Sequence, residues 1–169
     1  MPNLHFEHWP KISKSLKLPE TSLYENLKVS AARYPDQSAI YHYGHTISYK
    51  ELDEEVNALA GFLQQKLGVA KGERVLLFMQ NSPQFVIGFY AISRADAVVV
   101  PINPMLTAEE LSFYIKDCGI NSALVGQELY DKVEPLIGTT PLNNVVVAAY
   151  SDYKGDGFNG TVPPEAEAA

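Results

Sequence analysis

The sequence predicts an α/β protein with a mainly parallel sheet flanked by helices and a small N-terminal β-hairpin. The main observation is that four apolar runs alternate with helical patterns along the chain. The runs are RVLLFM at 74–79, AVVVPIN at 97–103, SALVG at 122–126 and NNVVVAAY at 143–150. Continuous apolar runs are typical of strands buried on both faces, and strands separated by helices pair in parallel through right-handed crossovers.

The hairpin is predicted from residues 38–49, SAIYHYGHTISY, in which two β-type runs flank Gly44. Residues 1–20, with scattered aromatics and prolines, form an N-terminal arm ahead of an α/β domain at 21–150. After Tyr150 the composition changes to SDYKGDGFNGTVPPEAEAA, which is poor in apolar residues. We therefore expect residues 151–169 to be a flexible linker or tail.

Helix starts carry a capping signature, in which a Ser or Thr is followed three residues later by Glu. The pairs are Ser22 with Glu25, Ser48 with Glu51, and Thr107 with Glu110. Ser82 and Pro83 begin a further helix, because proline is favoured at the first helical position. Ends are predicted at Pro35, Gly68 and Gly119. The segment QELYDKVEPLIG predicts a last helix that bends or ends near Pro135.

Apolar residues at helical spacing predict which helix faces pack on the sheet. In the first helix they are Leu23, Leu27, Ala31 and Tyr34. In the second they are Leu52, Val56, Leu59, Leu63 and Leu67. These stripes, together with the caps and stops, point to one consistent fold.

Composition excludes several classes of function. The 169-residue chain has a formal net charge of −7 and no compact Lys/Arg cluster, so nucleic acid is not an expected partner. Its single cysteine, Cys118, excludes an internal disulfide and a cysteine-based metal site. No apolar run reaches the roughly 20 residues of a membrane span, and the N-terminus lacks the apolar segment of a signal peptide. We therefore expect a cytoplasmic protein without a transmembrane segment.

The stretch GDGFNG, residues 155–160, has the G-x-G-x-x-G spacing of a dinucleotide-binding loop. That loop needs a strand before it and a helix after it, so that free N–H groups face the pyrophosphate. Here Thr161, Val162 and two consecutive prolines follow instead of a helical pattern. The sequence therefore favours a flexible loop over a nucleotide site.

Other candidate sites have simpler structural interpretations. His42 and His45, like His5 and His8, lack a third ligand at fixed spacing, so surface histidines are favoured over a metal site. Cys118 lies on an apolar helix stripe and is interpreted as a buried hydrophobe. The consecutive carboxylates 53–55 indicate a solvated helix face. The best physical candidate is Asn103-Pro104, after the carboxyl end of a strand, where α/β sheets usually place ligands.

Several segments in order resemble the N-terminal part of the adenylate-forming (AMP-binding) superfamily. ISYKEL at 47–52 resembles its first core motif, and GVAKGERVLLFMQNSPQFVIGFYA at 68–91 resembles the segment that follows. ISRADAVVVPINPMLTAEELSFYIKDCGINSALV resembles the second core motif, with an N-P-x-x-[TS]-x-x-E-[LI] pattern typical of fatty-acyl-CoA ligases. The resemblance covers about residues 20–150. It implies the N-terminal subdomain of the acyl-CoA synthetase fold.

The resemblance implies an activity for a longer parent protein. Such ligases use ATP, Mg and CoA to convert a carboxylate to an acyl-adenylate and then to an acyl-CoA. Their phosphate loop, nucleotide motifs and catalytic lysine come later than this segment, so no catalytic residue, metal site or bound cofactor is expected in this chain. The resemblance also implies that the loop Asn103, Pro104 and Met105 lies near the CoA-side entrance of the complete enzyme. Asp96 replaces a usual glycine, which predicts a locally altered turn.

Three hypotheses follow. In the first, the chain is an inactive N-terminal fragment of a fatty-acid–CoA ligase, and its partners are the rest of that ligase chain, the carboxylate substrate and CoA. In the second, it is a naturally short, non-catalytic module that binds a partner protein. In the third, it is an unrelated small nucleotide-binding protein that uses GDGFNG. The resemblance favours the first.

Overall fold

The core of the fold is a four-stranded parallel sheet with strand order β4–β3–β5–β6. The computed structural model describes residues 17–167. The strands of this sheet are β3 (Arg74–Phe78), β4 (Val98–Pro101), β5 (Ser122–Gly126) and β6 (Asn144–Ala148). Their register places Leu77 opposite Leu124 and Val125 opposite Val147. The four predicted strands and their parallel arrangement are confirmed.

Helices cover both faces of this sheet. They are α1 (Tyr24–Arg33), α2 (Tyr49–Gln65), α3 (Pro83–Arg94), α4 (Ala108–Cys118), and the short α5 (Tyr130–Val133) and α6 (Pro164–Glu167). Because side chains alternate across a strand, Val75 and Leu77 belong to a core with α1, α2 and α3. Leu76 and Phe78 belong to a second core with α4 and α5. The result is a three-layer α/β/α arrangement.

The predicted hairpin is confirmed as β1 (Ser38–His42) and β2 (His45–Ser48), which pair antiparallel. Its two-residue turn places Tyr43 at φ 40° and Gly44 at φ 78°. Two positive φ values at the centre of a two-residue turn match the right-handed twist of a hairpin. Ile47 is buried in the same core as α2, which attaches the hairpin to the main body.

Three of the four predicted helix caps form. The Ser48–Glu51 and Thr107–Glu110 pairs are complete capping boxes, and the Ser82 side chain accepts from the Phe85 N–H at 3.1 Å. The capping hydrogen bonds lower the pKa of Glu51 and of Glu110. Gly119 follows α4 with φ 62°, the left-handed conformation expected at that position.

The predicted start of α1 is wrong. The N-cap is Leu23 and no side chain caps the helix, while the Glu25 N–H reaches the Ser22 carbonyl at 3.1 Å. The predicted stripe is also displaced, because Leu23 and Tyr34 are each 57% exposed and Tyr24 is buried instead. Tyr24 is drawn inward because its hydroxyl donates to Asp53 Oδ1 at 2.9 Å on α2.

Two further elements differ from the expectation. The run at 97–103 was predicted as a buried strand, but β4 lies at the sheet edge and Val98 is 45% exposed. The segment 127–138 is not one helix: α5 is flanked by the 3₁₀ turns Gln127–Leu129 and Glu134–Leu136. Its helical character does end just after Pro135, as predicted. No helix within residues 17–167 is long and apolar enough to cross a membrane.

Asp96 adopts the left-handed conformation, with φ 59°, immediately after α3. The Ala97 N–H donates to the Ile92 carbonyl and the Asp96 N–H to the Ser93 carbonyl, which is the Schellman pattern of a helix end. The Gly72 N–H also donates to the Asp96 carbonyl at 2.8 Å. The turn therefore keeps a standard hydrogen-bond pattern with Asp96 in the left-handed conformation, and an alteration relative to the family's glycine stays a prediction.

We expect Asp96→Gly to raise the free energy of unfolding by about 0.5–1 kcal/mol, because glycine carries no Cβ penalty at positive φ. The backbone hydrogen bonds of the turn do not depend on the side chain. Urea denaturation followed by circular dichroism measures the change. Asp96→Ala is the control, since it keeps the Cβ; equal stabilisation by alanine would show that the aspartate charge, not the backbone conformation, is responsible.

The segment after Tyr150 packs on the hairpin in the described structure. The Gly155 N–H donates to the Tyr43 carbonyl at 3.0 Å, and the Phe158 ring lies 5.8 Å from the Tyr43 ring. Val162 is buried in the core that contains α2. Residues up to Val162, expected to be a linker, therefore have a packed position here; the division into arm, domain and tail stays a prediction.

Candidate functional site

The carboxyl ends of the four parallel strands meet at one edge of the sheet, where ligands of α/β proteins usually bind. At this edge the Tyr150 hydroxyl donates to Glu128 Oε1 at 2.8 Å and accepts from the Gln80 N–H at 2.7 Å. Tyr150 is only 3% exposed. One hydroxyl thus joins the loops that follow β3, β5 and β6. This connection fixes the shape of the edge.

Gly126, the last residue of β5, makes room for this hydroxyl. A Cβ at Gly126 would overlap the Tyr150 oxygen and lie 2.7 Å from Glu128 Oε2. Gly126 has ordinary negative φ, so the requirement for glycine here is steric. The sequence contained one signal for this contact, a glycine at the end of a strand, which often marks close approach of another group.

A polar groove of about 180 Å³ lies beside this connection, lined by residues of the hairpin, the β3–α3 loop and the C-terminal segment. The Gln80–Ser82 part of its wall leads directly into the N-terminus of α3. His42 and Tyr43 form the opposite wall. The Nε2 atom of His42 is buried and has no hydrogen-bond partner among the described residues.

Asn103 and Pro104 of the predicted loop line a second groove, of about 250 Å³, which shares Gln80 and Asn81 with the first. Asn103 Oδ1 accepts from the Met105 N–H at 3.0 Å, which fixes a tight turn. Lys132 Nζ donates to the carbonyls of Pro104 at 2.9 Å and Leu106 at 3.0 Å. The loop is therefore held from α5, and the Met105 side chain is left 85% exposed.

The hairpin histidines are not positioned as a metal site. Among residues 17–167, no group of three or more His, Cys, Asp or Glu side chains could hold a metal ion. His5 and His8 lie outside the described residues. Burial, and secondarily the charge of His45, lowers the pKa of His42.

We expect the chain to lose stability as the pH falls below about 6.5, the ordinary pKa of His42. The folded-state pKa is lower than the unfolded one, so the unfolded chain binds the proton first and acidification favours unfolding. Thermal midpoints measured between about pH 7 and pH 5 should therefore decrease more steeply for the wild type than for His42→Gln. Parallel slopes in the two proteins would contradict this assignment.

The other candidate site residues, Cys118 and the carboxylates 53–55, have structural roles. Cys118 is partly buried and packs against the core on the α4 side. The three neighbouring carboxylates of α2 have three different partners: Asp53 accepts from Tyr24, Glu54 lies 3.9 Å from Lys50, and Glu55 accepts from Tyr153. They therefore form no acid–base pair, but the predicted solvated face holds only for Glu54, since Asp53 and Glu55 are half-buried.

The GDGFNG segment is a loop from which no helix opens, as the sequence indicated. The next helix, α6, begins only at Pro164. A Cβ at Gly155 would lie 2.5 Å from the Gly44 carbonyl carbon, so this glycine allows the loop to pass close to the hairpin turn. Packing, not phosphate binding, accounts for Gly155.

Comparison with known proteins agrees with this architecture. Residues 27–168 match the family model of the AMP-binding enzymes. Among curated relatives, the long-chain-fatty-acid–CoA ligase of Escherichia coli O6:H1 is 33% identical over 131 residues, covering 78% of this chain and 23% of that ligase. The corresponding Bacillus subtilis ligase is 32% identical over 142 residues, covering 84% and 25%.

Solved structures give the same result. The anthranilate CoA ligase AuaEII in complex with anthranoyl-AMP superposes with a TM-score of 0.74 at 26% identity, over 82% of this chain and 27% of that one. A long-chain-fatty-acid-CoA ligase (FadD1) from Archaeoglobus fulgidus gives 0.71 at 28% identity, over 79% and 28%. The chain spans about a quarter of the length of the curated relatives it matches. The chain belongs to the AMP-binding enzyme family and corresponds to the N-terminal region of the long-chain fatty-acid–CoA ligases.

Proposed function

We propose that this chain is the N-terminal portion of a fatty-acid–CoA ligase. The complete protein would join ATP and a fatty carboxylate to give an acyl-adenylate and then transfer the acyl group to CoA. The observation that carries this proposal is the family match over residues 27–168, together with ligase relatives that are about four times longer. We expect the reaction to take place in the cytoplasm, where ATP and CoA are available.

In this proposal the chain supplies a scaffold and no catalytic group. ATP, Mg and CoA would be bound by the complete enzyme, because the phosphate loop and catalytic lysine implied by the family resemblance have no counterpart among these residues. Stabilising a triphosphate needs preorganised N–H groups and positive charge at the phosphates. The chain alone is therefore expected to be inactive.

The remainder of the ligase polypeptide is the main proposed partner. Large apolar side chains at both sheet edges support this assignment: Val98 on β4 is 45% exposed and Val147 on β6 is 46% exposed. Phe113 on the outer face of α4 is 64% exposed. Exposed edge strands and apolar side chains are usually covered by neighbouring structure.

The loop Asn103, Pro104 and Met105 is proposed to lie at the CoA-side entrance of the complete enzyme. It follows the carboxyl end of β4, and its backbone is held by Lys132 while Met105 points outward. A firmly held loop with an exposed, adaptable methionine is suited to contact the apolar arm of a cofactor.

ATP–pyrophosphate exchange tests the proposal. The purified chain, given MgATP, a long-chain fatty acid and labelled pyrophosphate, should show no exchange above a blank without protein. The Bacillus subtilis ligase is the positive control. The native gene should continue in frame beyond codon 169. Saturable exchange by the chain alone would overturn the scaffold role, and a stop codon at that point would favour the short partner-binding module.

A further inference from the structure

An apolar cleft of about 370 Å³ lies between α2, α3 and the face of β5 and β6. This volume is within the range of small-molecule sites, about 300–1,000 Å³. Its walls are mainly aliphatic and come from Leu59, Met79, Ile87, Leu124, Val146 and Ala148. The cleft lies on the face of the sheet covered by α2 and α3, and the loop Asn103–Met105 is not among its lining residues.

Three side chains at this cleft present hydrogen-bond acceptors: Gln84, Glu55 and Asp152. Gln84 Nε2 donates to the Ala149 carbonyl at 2.6 Å, which leaves Gln84 Oε1 buried without a partner among the described residues. Glu55 and Asp152 bring two carboxylates to the same cleft. Within residues 17–167 neither carboxylate has a basic side chain at salt-bridge distance.

The Tyr153 side chain lines the same cleft. Its hydroxyl donates to Glu55 Oε2. Burial, this hydrogen bond and the negative charges of Glu55 and Asp152 all raise the pKa of the Tyr153 phenol well above its usual range. The phenol hydrogen is thus donated to Glu55, and Gln84 Oε1 still has no hydrogen-bond donor among the described residues.

We propose that this cleft binds cationic amphiphiles, molecules with an apolar body and an ammonium head. The apolar body would shield the aliphatic walls from water, and the ammonium group would donate to Gln84 Oε1 and place a positive charge beside Glu55 and Asp152. A fatty carboxylate would bring a third negative charge beside Glu55 and Asp152 and is disfavoured. The cleft is therefore unsuited to a fatty acid.

Three probes of equal chain length test this inference: n-octylammonium, n-octanol and n-octanoate, titrated at about 0.15 M ionic strength. Methyl NMR shifts of Leu59, Leu124 and Val146 report on the cleft. We expect saturable shifts with n-octylammonium and about tenfold weaker binding of n-octanoate, which corresponds to about 1.4 kcal/mol. Equal or tighter binding of n-octanoate, or no saturable shifts at these methyls, would overturn the proposal.

Matched variants locate the site. Glu55→Gln should weaken n-octylammonium binding about fivefold, whereas Glu54→Gln, with the same charge change on the exposed side of α2, should change it less than twofold. Ala148→Phe should fill the cleft and abolish saturable binding. Circular dichroism checks that each variant is folded. Equal effects of Glu54→Gln and Glu55→Gln, or unchanged binding in Ala148→Phe, would show a non-specific charge effect and refute the site.

Discussion

Replacing Phe78 by alanine is expected to lower the free energy of unfolding by about 3–5 kcal/mol. Phe78 is the largest of the fully buried side chains in the described structure, at 0% exposure. It ends β3 in the middle of the sheet and belongs to the core with Leu111, Ile115 and Val125. Alanine leaves a cavity between sheet and α4 that these rigid neighbours fill only in part. Since domains of this size have about 5–15 kcal/mol of stability, the variant should be partly unfolded near 37 °C.

Phe113→Ala is the matched control, because Phe113 lies on the outer face of α4 and is 64% exposed. Its loss should change stability by no more than about 0.5 kcal/mol. Urea unfolding of both variants, followed by circular dichroism, gives the comparison. Similar losses in the two variants would mean that α4 packs on the sheet through its other face, and the layer arrangement described above would then be incorrect.

The central strands could be predicted from sequence because their environment is symmetrical. β3 and β5 are flanked by strands and covered on both faces, so every position between Val75 and Phe78 is buried and the sequence shows an unbroken apolar run. The same local rules identified the Ser48 and Thr107 caps, which depend on residues only three positions apart. Features that depend on local sequence were therefore predictable.

Edge positions were not predictable in this way. The VVV segments of β4 and β6 have the same composition as a central strand, yet Val98 and Val147 are almost half exposed. An apolar run indicates that a strand is suited to burial on both faces. It does not show whether neighbouring strands or helices are present to bury it. In the proposed ligase, further polypeptide would cover these edges, which reconciles their composition with their exposure.

The contacts that shape the candidate sites were also beyond sequence reasoning. Tyr153 and Glu55 are 98 positions apart, and Tyr150 and Gln80 are 70 apart. No periodicity or spacing rule connects residues at such separations, since the fold alone brings them together. The start of α1 was mispredicted although its signal is local: Leu23 is the N-cap, and the Ser22 carbonyl, not its side chain, accepts from the Glu25 N–H.

Gly126→Ala is expected to lower the free energy of unfolding by about 2–4 kcal/mol, although it adds a single methyl group. The new Cβ would occupy the space of the Tyr150 hydroxyl and approach Glu128 Oε2. Tyr150 must then leave its buried position. Its displacement exposes the ring and leaves the Gln80 N–H without its acceptor. Because this hydroxyl joins the loops after β3, β5 and β6, the loss should also loosen the carboxyl edge of the sheet.

Gly61→Ala provides the opposite control. Gly61 lies within α2, and a Cβ there meets no atom within 4 Å, so alanine should stabilise the chain by about 0.5–1 kcal/mol through helix propensity alone. Amide hydrogen exchange locates the effect: Gly126→Ala should increase exchange at Gln80, and Gly61→Ala should not.

Tyr150→Phe separates the loss of the hydroxyl's hydrogen bonds from the steric clash with a new Cβ, since it removes the hydroxyl and adds no atom. If Gly126→Ala in the Tyr150→Phe background still costs as much as alone, contact of the new Cβ with Glu128 Oε2 and the aromatic ring, and not with the hydroxyl, would explain the glycine.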